Sequence, residues 1–293
     1  MAARTPDYIS VSSIQDYQAD RLRWCFKWVE NRVPLRVPQA LEVGKVLHKA
    51  FEAAFTLGTN VGHELEKLLP PSGTLLLEES ERKADQELRG LIEPLTLWED
   101  HFPIEKTLEV EQPFEFTTEA GIPFRGRPDR VAVVFGKVFH IQNKSVGAAV
   151  DPGTYIRLAQ RNMHELLYGR HLRTKYADYE YGGTLYNIVR KLQYRTRAKG
   201  KDNAIINPTS KMFLQTVIGL DDEQASIARR DLAILSVEMD RTADRYLAGE
   251  MPPSTRKADS GPFGNGTDAY LPVLLGETSL EDPSLYTDRE ETY

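Results

Sequence analysis

A short hairpin pattern with a charged end constrains this chain more than any other feature. Gly126-Arg127-Pro128-Asp129 leads into an apolar run, Arg130-Val131-Ala132-Val133-Val134-Phe135. Gly136-Lys137 interrupts it, and a second run, Val138-Phe139-His140-Ile141, ends in Gln142-Asn143-Lys144. Two such runs around a glycine turn predict adjacent antiparallel strands. Asp129 opens the first strand, while Gln142 and Lys144 close the second, so all three meet at one end of the hairpin. Strand side chains alternate faces, which puts Gln142 and Lys144 on the same side. A carboxylate, an amide oxygen and an ammonium on one wall form the core of a metal-dependent phosphodiesterase. Alone, Pro-Asp is a common turn pair whose carboxylate caps or pairs with Arg127, and a lysine ending a strand simply reaches solvent. The combination carries the chemistry. Mg2+ needs hard oxygen ligands and keeps several waters. Asp129, the Gln142 amide oxygen, the backbone carbonyl of Asn143 and a phosphate oxygen can supply them. Lys144 can lower the pKa of the attacking water or stabilise charge developing on the phosphate.

Composition sets the limits around this motif. The chain has 293 residues, enough for one large or two small domains with ample core. Hydrophobic residues make up 41% and charged residues 27%, which fits an ordinary soluble globular protein. No apolar run approaches the ~18 residues of a membrane span, and the N-terminus lacks a signal-peptide apolar region. A cytoplasmic protein without membrane contact is expected. One cysteine, Cys25, excludes an internal disulfide framework and any cysteine-only metal cluster. The formal net charge of −6 does not favour nucleic acid, so any DNA contact must come from a local patch. Arg190, Lys191, Arg195, Arg197, Lys199, Lys201 and Lys211 form one, with Tyr194 interleaved and only Asp202 opposing. Residues 196–203 are polar and loop-like, suited to phosphate contacts; the plain alternative is a solvated hairpin tip.

The organisation is helices, then a β-meander, then a crossover helix, a strand pair and a helix. Residues 8–57 read as helical, with Ser10, Ser12 or Ser13 capping a first helix near Ile14 and Pro34 and Pro38 breaking it. A second helix spans about 42–57 and stops at Gly58. Residues 62–69 form a short helix or turn, and 78–100 a charged helix through Pro94. Strands are expected over 107–117, 122–135 and 137–144, with Glu119-Ala120-Gly121 as a turn. Residues 154–173 make an amphipathic helix, 181–191 and 212–219 return to strand, and 222–247 is a long helix with Ile227, Leu232, Leu235, Met239 and Tyr246 on one stripe. The fold class is α/β with a mixed sheet. We expect a single domain over 1–293: a helical N-terminal region over residues 1–103, a core over 104–250 and an extended segment over 251–293.

Pro128-Asp129 with Gln142-x-Lys144 resembles the PD-(D/E)xK nuclease superfamily, with Gln where the family's second acid stands. Gly44-x-x-x-His48, upstream of the meander, resembles the RecB-like branch, which implies that His48 is a metal ligand; taken alone, a helix histidine is more often a partly buried, hydrogen-bonded residue. Glu52, one turn on, then becomes a neighbour of the site or an additional acid. Ile9-Ser10-Val11-Ser12-Ser13-Ile14 with Tyr17 is similar to that branch's opening. Its Gln-x-x-x-Tyr motif is matched incompletely by Gln160, followed by His164, which like Glu52 becomes a neighbour of the site, and then Tyr168. Gln160 would contact the DNA backbone or the metal-site loop, its plain role being a surface glutamine. Many members of the branch carry an iron–sulfur cluster on one upstream and three C-terminal cysteines; with Cys25 alone, this chain holds none.

The resemblance implies a restriction-endonuclease-like core and a Mg2+- or Mn2+-dependent DNA nuclease. Stand-alone domains of this type resemble phage or prophage exonucleases of recombination and repair, which implies DNA and a recombination protein as partners. Asp129, Gln142, His48 and Asn143 would hold metal, with Lys144 assisting the water. Two other readings stay open: a DNA-binding or assembly subunit that lost catalysis through Gln142, and a coincidental motif in a structural protein. The catalytic reading expects His48, Asp129, Gln142 and Lys144 at one end of the central sheet.

Overall fold

The two apolar runs form the hairpin that the glycine turn predicts. In the computed structural model, β5 (Arg130–Val134) pairs antiparallel with β6 (Lys137–Val146). The turn between them has Phe135 at φ 50° and Gly136 at φ 70°. Two consecutive left-handed residues are what a two-residue hairpin with native strand twist requires. The structure describes residues 5–35, 39–71, 74, 79–98, 102–147, 163–191, 194–195, 204–205, 213–219, 222–253, 270, 273 and 277–289.

Around this hairpin lies a five-stranded mixed sheet. The added strands are β2 (Ile104–Val110), β7 (Tyr181–Arg190) and β10 (Phe213–Ile218), in the order β10-β7-β6-β5-β2. Only the β6/β7 pair in this sheet is parallel. A parallel pair needs a crossover, and α6 (Met163–Lys175) lies on the connection. Leu172 of α6 packs with Val131, Val133 and Val138 on one face. On the other face Val189 joins the apolar cluster of α3 (Gln39–Leu57), α4 (Val61–Leu68) and α5 (Glu79–Thr96). Gly58, at φ 66°, ends α3, and the Asn60 side chain caps α4 through the N–H groups of Gly62 and His63. A Cβ at Gly62 would sit 2.2 Å from Thr96 Oγ1 and 2.5 Å from the Ile92 carbonyl. Backbone cannot retreat as a side chain can, so Gly62→Ala should cost about 1–3 kcal/mol and lower the melting temperature. An unchanged melting curve would show that α4 and α5 have slack.

The described residues gather in two compact units. The sheet, α3, α4, α5 and α6 belong to residues 38–112 and 127–222. The other unit comprises residues 1–37, 113–126 and 223–293. It holds α1 (Val11–Ala19), α2 (Arg21–Trp24) continuing into a π-turn (Cys25–Val29), and α7 (Asp222–Leu247) apart from its first residue. It also holds β1 (Arg32–Pro34), paired with β11 (Tyr286–Asp288), and the hairpin of β3 (Phe114–Thr117) and β4 (Pro123–Gly126). A further two-residue pair, β8 (Tyr194–Arg195) with β9 (Ala204–Ile205), lies in the sheet-containing unit. Among the described residues no helix is long and apolar enough to cross a membrane.

Several expected boundaries move. The first helix starts at Val11, because Ser10 is the serine that caps it, accepting from the Ser13 N–H at 3.2 Å. Pro34 lies in a short strand rather than breaking a helix. The expected strand 107–117 is two strands, because Glu111 turns left-handed at φ 51°. The expected strand 122–135 is also two. Pro128 has no N–H to give a ladder, and residues 127–129 bridge the gap between β4 and β5.

Candidate active site

Asp129 sits immediately before β5, at the mouth of the hairpin. Its Oδ2 accepts the backbone N–H of Asn143 at 2.7 Å, and its Oδ1 accepts Gln142 Nε2 at 3.2 Å. Because β6 is extended, Gln142 and Lys144 share one face while the Asn143 side chain takes the other. There Asn143 Oδ1 accepts from Asn187 of β7 at 2.9 Å, and Asn187 Oδ1 accepts from Gln215 of β10 at 2.8 Å. This cross-strand amide ladder braces the segment that carries Gln142 and Lys144.

Helix α3 brings His48 to the same carboxylate. His48 Nε2 lies 3.1 Å from Asp129 Oδ1, and its Nδ1 lies 3.4 Å from Glu111 Oε1. Glu111, just past β2, is held by its own N–H on the Asp129 carbonyl at 3.2 Å. Its Oε2 meets Arg127 Nε at 2.8 Å. One ligand atom from each of His48, Glu111 and Asp129 can be chosen so that all lie within 4.8 Å of one another. The Glu111 and Asp129 side chains are only 7% and 6% exposed, while His48 and Arg127 are about a third exposed and form the open side.

The charges are strongly coupled. Burial raises the Asp129 carboxyl, but the His48 hydrogen bond, the His48 and Lys144 charges and the Asn143 N–H outweigh it and hold it at about 2. Burial pushes Glu111 up to about 7; Asp129 and Glu52 add to the rise, while His48 and Arg127 oppose it. The hydrogen bond to Asp129 raises His48 above its usual value, against its own burial. Burial lowers Lys144, with Asp129 and Glu111 opposing.

Two buried oxygens here lack a hydrogen-bond donor: Gln142 Oε1 and Glu111 Oε1. Buried acceptors are normally satisfied, and leaving one unmade costs about 1–3 kcal/mol. Glu111 is one of the three clustered residues, and Gln142 is bonded to another through its Nε2 on Asp129. Two carboxylates, an imidazole and an unsatisfied amide oxygen are a donor set that suits a hard divalent cation.

The structure thus brings together His48, Asp129 and Gln142 in direct contact, with Lys144 beside them electrostatically. Asn143 touches the site through its backbone N–H. Glu52 is exposed and acts on Glu111 through its charge. Gln160 lies outside the described residues, as does the side chain of His164. Tyr168, one turn further, is buried; its hydroxyl accepts the Arg127 N–H at 3.3 Å and donates to the Arg127 carbonyl at 3.5 Å. Of the basic run, Arg190 closes β7, while Lys191 is buried with its Nζ 3.7 Å from Glu87 of α5. Lys191 is therefore occupied inside the fold. The side chain of Arg195 and the whole of Arg197, Lys199, Lys201 and Lys211 lie outside the described residues.

Sequence reasoning missed Glu111 and Arg127. The alternation of Leu108, Val110, Phe114 and Phe116 carries straight through 111, so Glu111 reads as one more solvent-facing acid beside Glu109 and Glu115. The available signal was Pro113, which interrupts a ladder two residues later.

Comparison with curated proteins returns no match. The profile described as PD-(D/E)XK nuclease superfamily matches residues 8–258, a span that holds every residue of the cluster just described. With that match over more than half its length, and with the mixed sheet carrying Pro128-Asp129 and Gln142-x-Lys144 at one mouth, the chain belongs to the PD-(D/E)XK nuclease superfamily.

Proposed function

We propose that the protein is a Mg2+- or Mn2+-dependent deoxyribonuclease of RecB-like type, working as an exonuclease in recombination or repair beside a recombination protein. One observation carries this reading: His48, Glu111 and Asp129 converge, and Glu111 and the Asp129-bonded Gln142 each keep a buried oxygen without a donor. Asp129, Glu111, His48 and Gln142 would hold the ion. Glu111 supplies the second carboxylate that Gln142 does not. When bound, the ion lowers the pKa of a water and polarises the phosphoryl oxygen. Lys144, whose charge acts on Asp129, would stabilise charge developing on the phosphate. The basic run between Arg190 and Lys211, apart from the buried Lys191, supplies phosphate contacts along the strand. Gly44-x-x-x-His48 supports the RecB-like branch, and DNA as substrate is the reason to place the protein in the cytoplasm.

The test uses purified protein with end-labelled linear DNA and closed circular DNA, in Mg2+, Mn2+ or EDTA. Shortening of the linear substrate alone, dependent on the ion, is expected. Cutting of the circle would make it an endonuclease. A second reading, a binding or assembly subunit, is favoured by Gln142 itself. It wins if wild type is inert in both ions while Gln142→Glu cleaves.

Ion binding must expel protons, which sets its pH dependence. Glu111 titrates near 7 and His48 above its usual 6.5, while Asp129 stays ionised. Below these values the ion competes with up to two protons, so affinity should climb about ten- to a hundredfold per pH unit and level off above them. Calorimetry in buffers of different ionisation enthalpy should find up to two protons released near pH 6 and fewer as the pH rises past both groups. A flat affinity across this range would remove Glu111 and His48 from the ligand set.

A further inference from the structure

We propose that Arg127 is an exchange residue: it pairs with Glu111 in the ion-free protein and moves to a backbone phosphate of the nucleic acid once a divalent ion takes Glu111. The inference rests on the nuclease reading of the site and names the group that couples ion to substrate.

Three features single out Arg127. Its partner is fixed: Glu111 is buried in a left-handed turn at φ 51°, with its N–H tied to the Asp129 carbonyl, so its carboxylate has little freedom to follow the arginine. Its own backbone is also fixed. The Tyr168 hydroxyl holds both the N–H and the carbonyl of Arg127, and the Tyr168 ring stands edge-on to buried His140 at 4.6 Å. Pro128 follows directly, with its φ locked. What remains free to move is the side chain, which is 35% exposed on the open side of the cluster.

Charge then dictates the direction of exchange. A divalent ion on Glu111 brings two positive charges beside a guanidinium that had been neutralising that carboxylate. Like charges at such separations repel, and a phosphate oxygen arriving at the same ion is the nearest anion on offer. Guanidinium geometry matches phosphate through paired N–H donors, which an ammonium cannot reproduce. Arg127 therefore competes with the ion for Glu111 before substrate arrives and cooperates with it afterwards. Ion and nucleic acid should each tighten the other's binding through this residue, and by the same factor.

This predicts effects of opposite sign for one substitution. In Arg127→Ala, Ca2+ should bind the free protein a few-fold more tightly, because its competitor is gone. A short labelled DNA should bind about tenfold more weakly in Ca2+ and no differently in EDTA. Arg127→Lys should restore some of the charge but little of the Ca2+-dependent DNA affinity. Should Arg127→Ala fail to fold, Arg127→Gln carries the same expected signs. Weaker Ca2+ binding in the variants would show that Arg127 braces Glu111 for the ion, and would overturn the proposal. An equal loss of DNA affinity in EDTA and in Ca2+ would do the same, since a plain surface cation acts without the ion. Because both readouts are binding measurements, a wild-type protein that cleaves nothing in Mg2+ or Mn2+ would remove the nuclease reading while the signs still decide the role of Arg127.

Discussion

Asp129→Asn is expected to abolish ion-dependent cleavage, lowering the rate at least about a thousandfold, since the ion contributes several kcal/mol to the transition state. The carboxylate of Asp129 is the point where the site is joined. It accepts from Gln142 and Asn143 and contacts His48. Asparagine has the same shape but only one acceptor oxygen. Its amide N–H must then face one of these donors, leaving a buried group unsatisfied at a cost of about 1–3 kcal/mol. A cation in this candidate site would lose its fully ionised ligand, and Mn2+ affinity should fall with activity. A melting curve separates the two effects: a stability loss of that size still leaves a folded protein to assay. If folded Asp129→Asn keeps a tenth of wild-type activity, the cluster at Asp129 is not the catalytic centre.

The second large effect concerns which residue supplies the missing acid. Glu111→Gln should lower activity about a hundredfold or more, because a buried carboxylate ligand becomes neutral. Gln142→Glu alone should tighten ion binding, since it adds charge at the orphaned Oε1. It should also destabilise the ion-free protein, with three carboxylates crowded together, and Mn2+ should reverse this loss. The informative variant is the double one. If Glu111 replaces the acid absent at 142, then Gln142→Glu should restore most of the activity lost in Glu111→Gln, and the two changes will be strongly non-additive. Additive losses would mean that Glu111 serves some purpose other than holding the ion, such as anchoring Arg127.

Much of this site was legible in the primary structure. The hairpin at Gly136, the shared face of Gln142 and Lys144, the position of Asp129 at the hairpin mouth and the span of the last long helix are local matters. They follow from turn chemistry and from side-chain periods of two and 3.6 residues, and those act over distances of a few residues. Gly44-x-x-x-His48 placed its histidine on a helix, and the helix lies over the expected sheet. Lys191, one of the cations expected to meet phosphate, lies buried against Glu87, and an isolated run of cations does not say which member the fold will pair internally.

What only the tertiary structure decided is how the negative charge of the site is completed. Glu111 stands eighteen positions before Asp129 and obeys the strand alternation around it, so the alternation alone does not distinguish it from Glu109 or Glu115. It joins the site because its backbone turns left-handed and its N–H finds the Asp129 carbonyl, a contact made only when β2 and β5 are neighbours. The same holds for the grip of Tyr168 on Arg127 and for the pairing of β1 with β11, which sets Arg32–Pro34 beside Tyr286–Asp288. Local sequence sets the period, the caps and the turns of each element. The pairing of elements far apart in the chain sets burial, and in this protein burial is what turns one glutamate of an alternating strand into a group poised near neutrality in a candidate metal site.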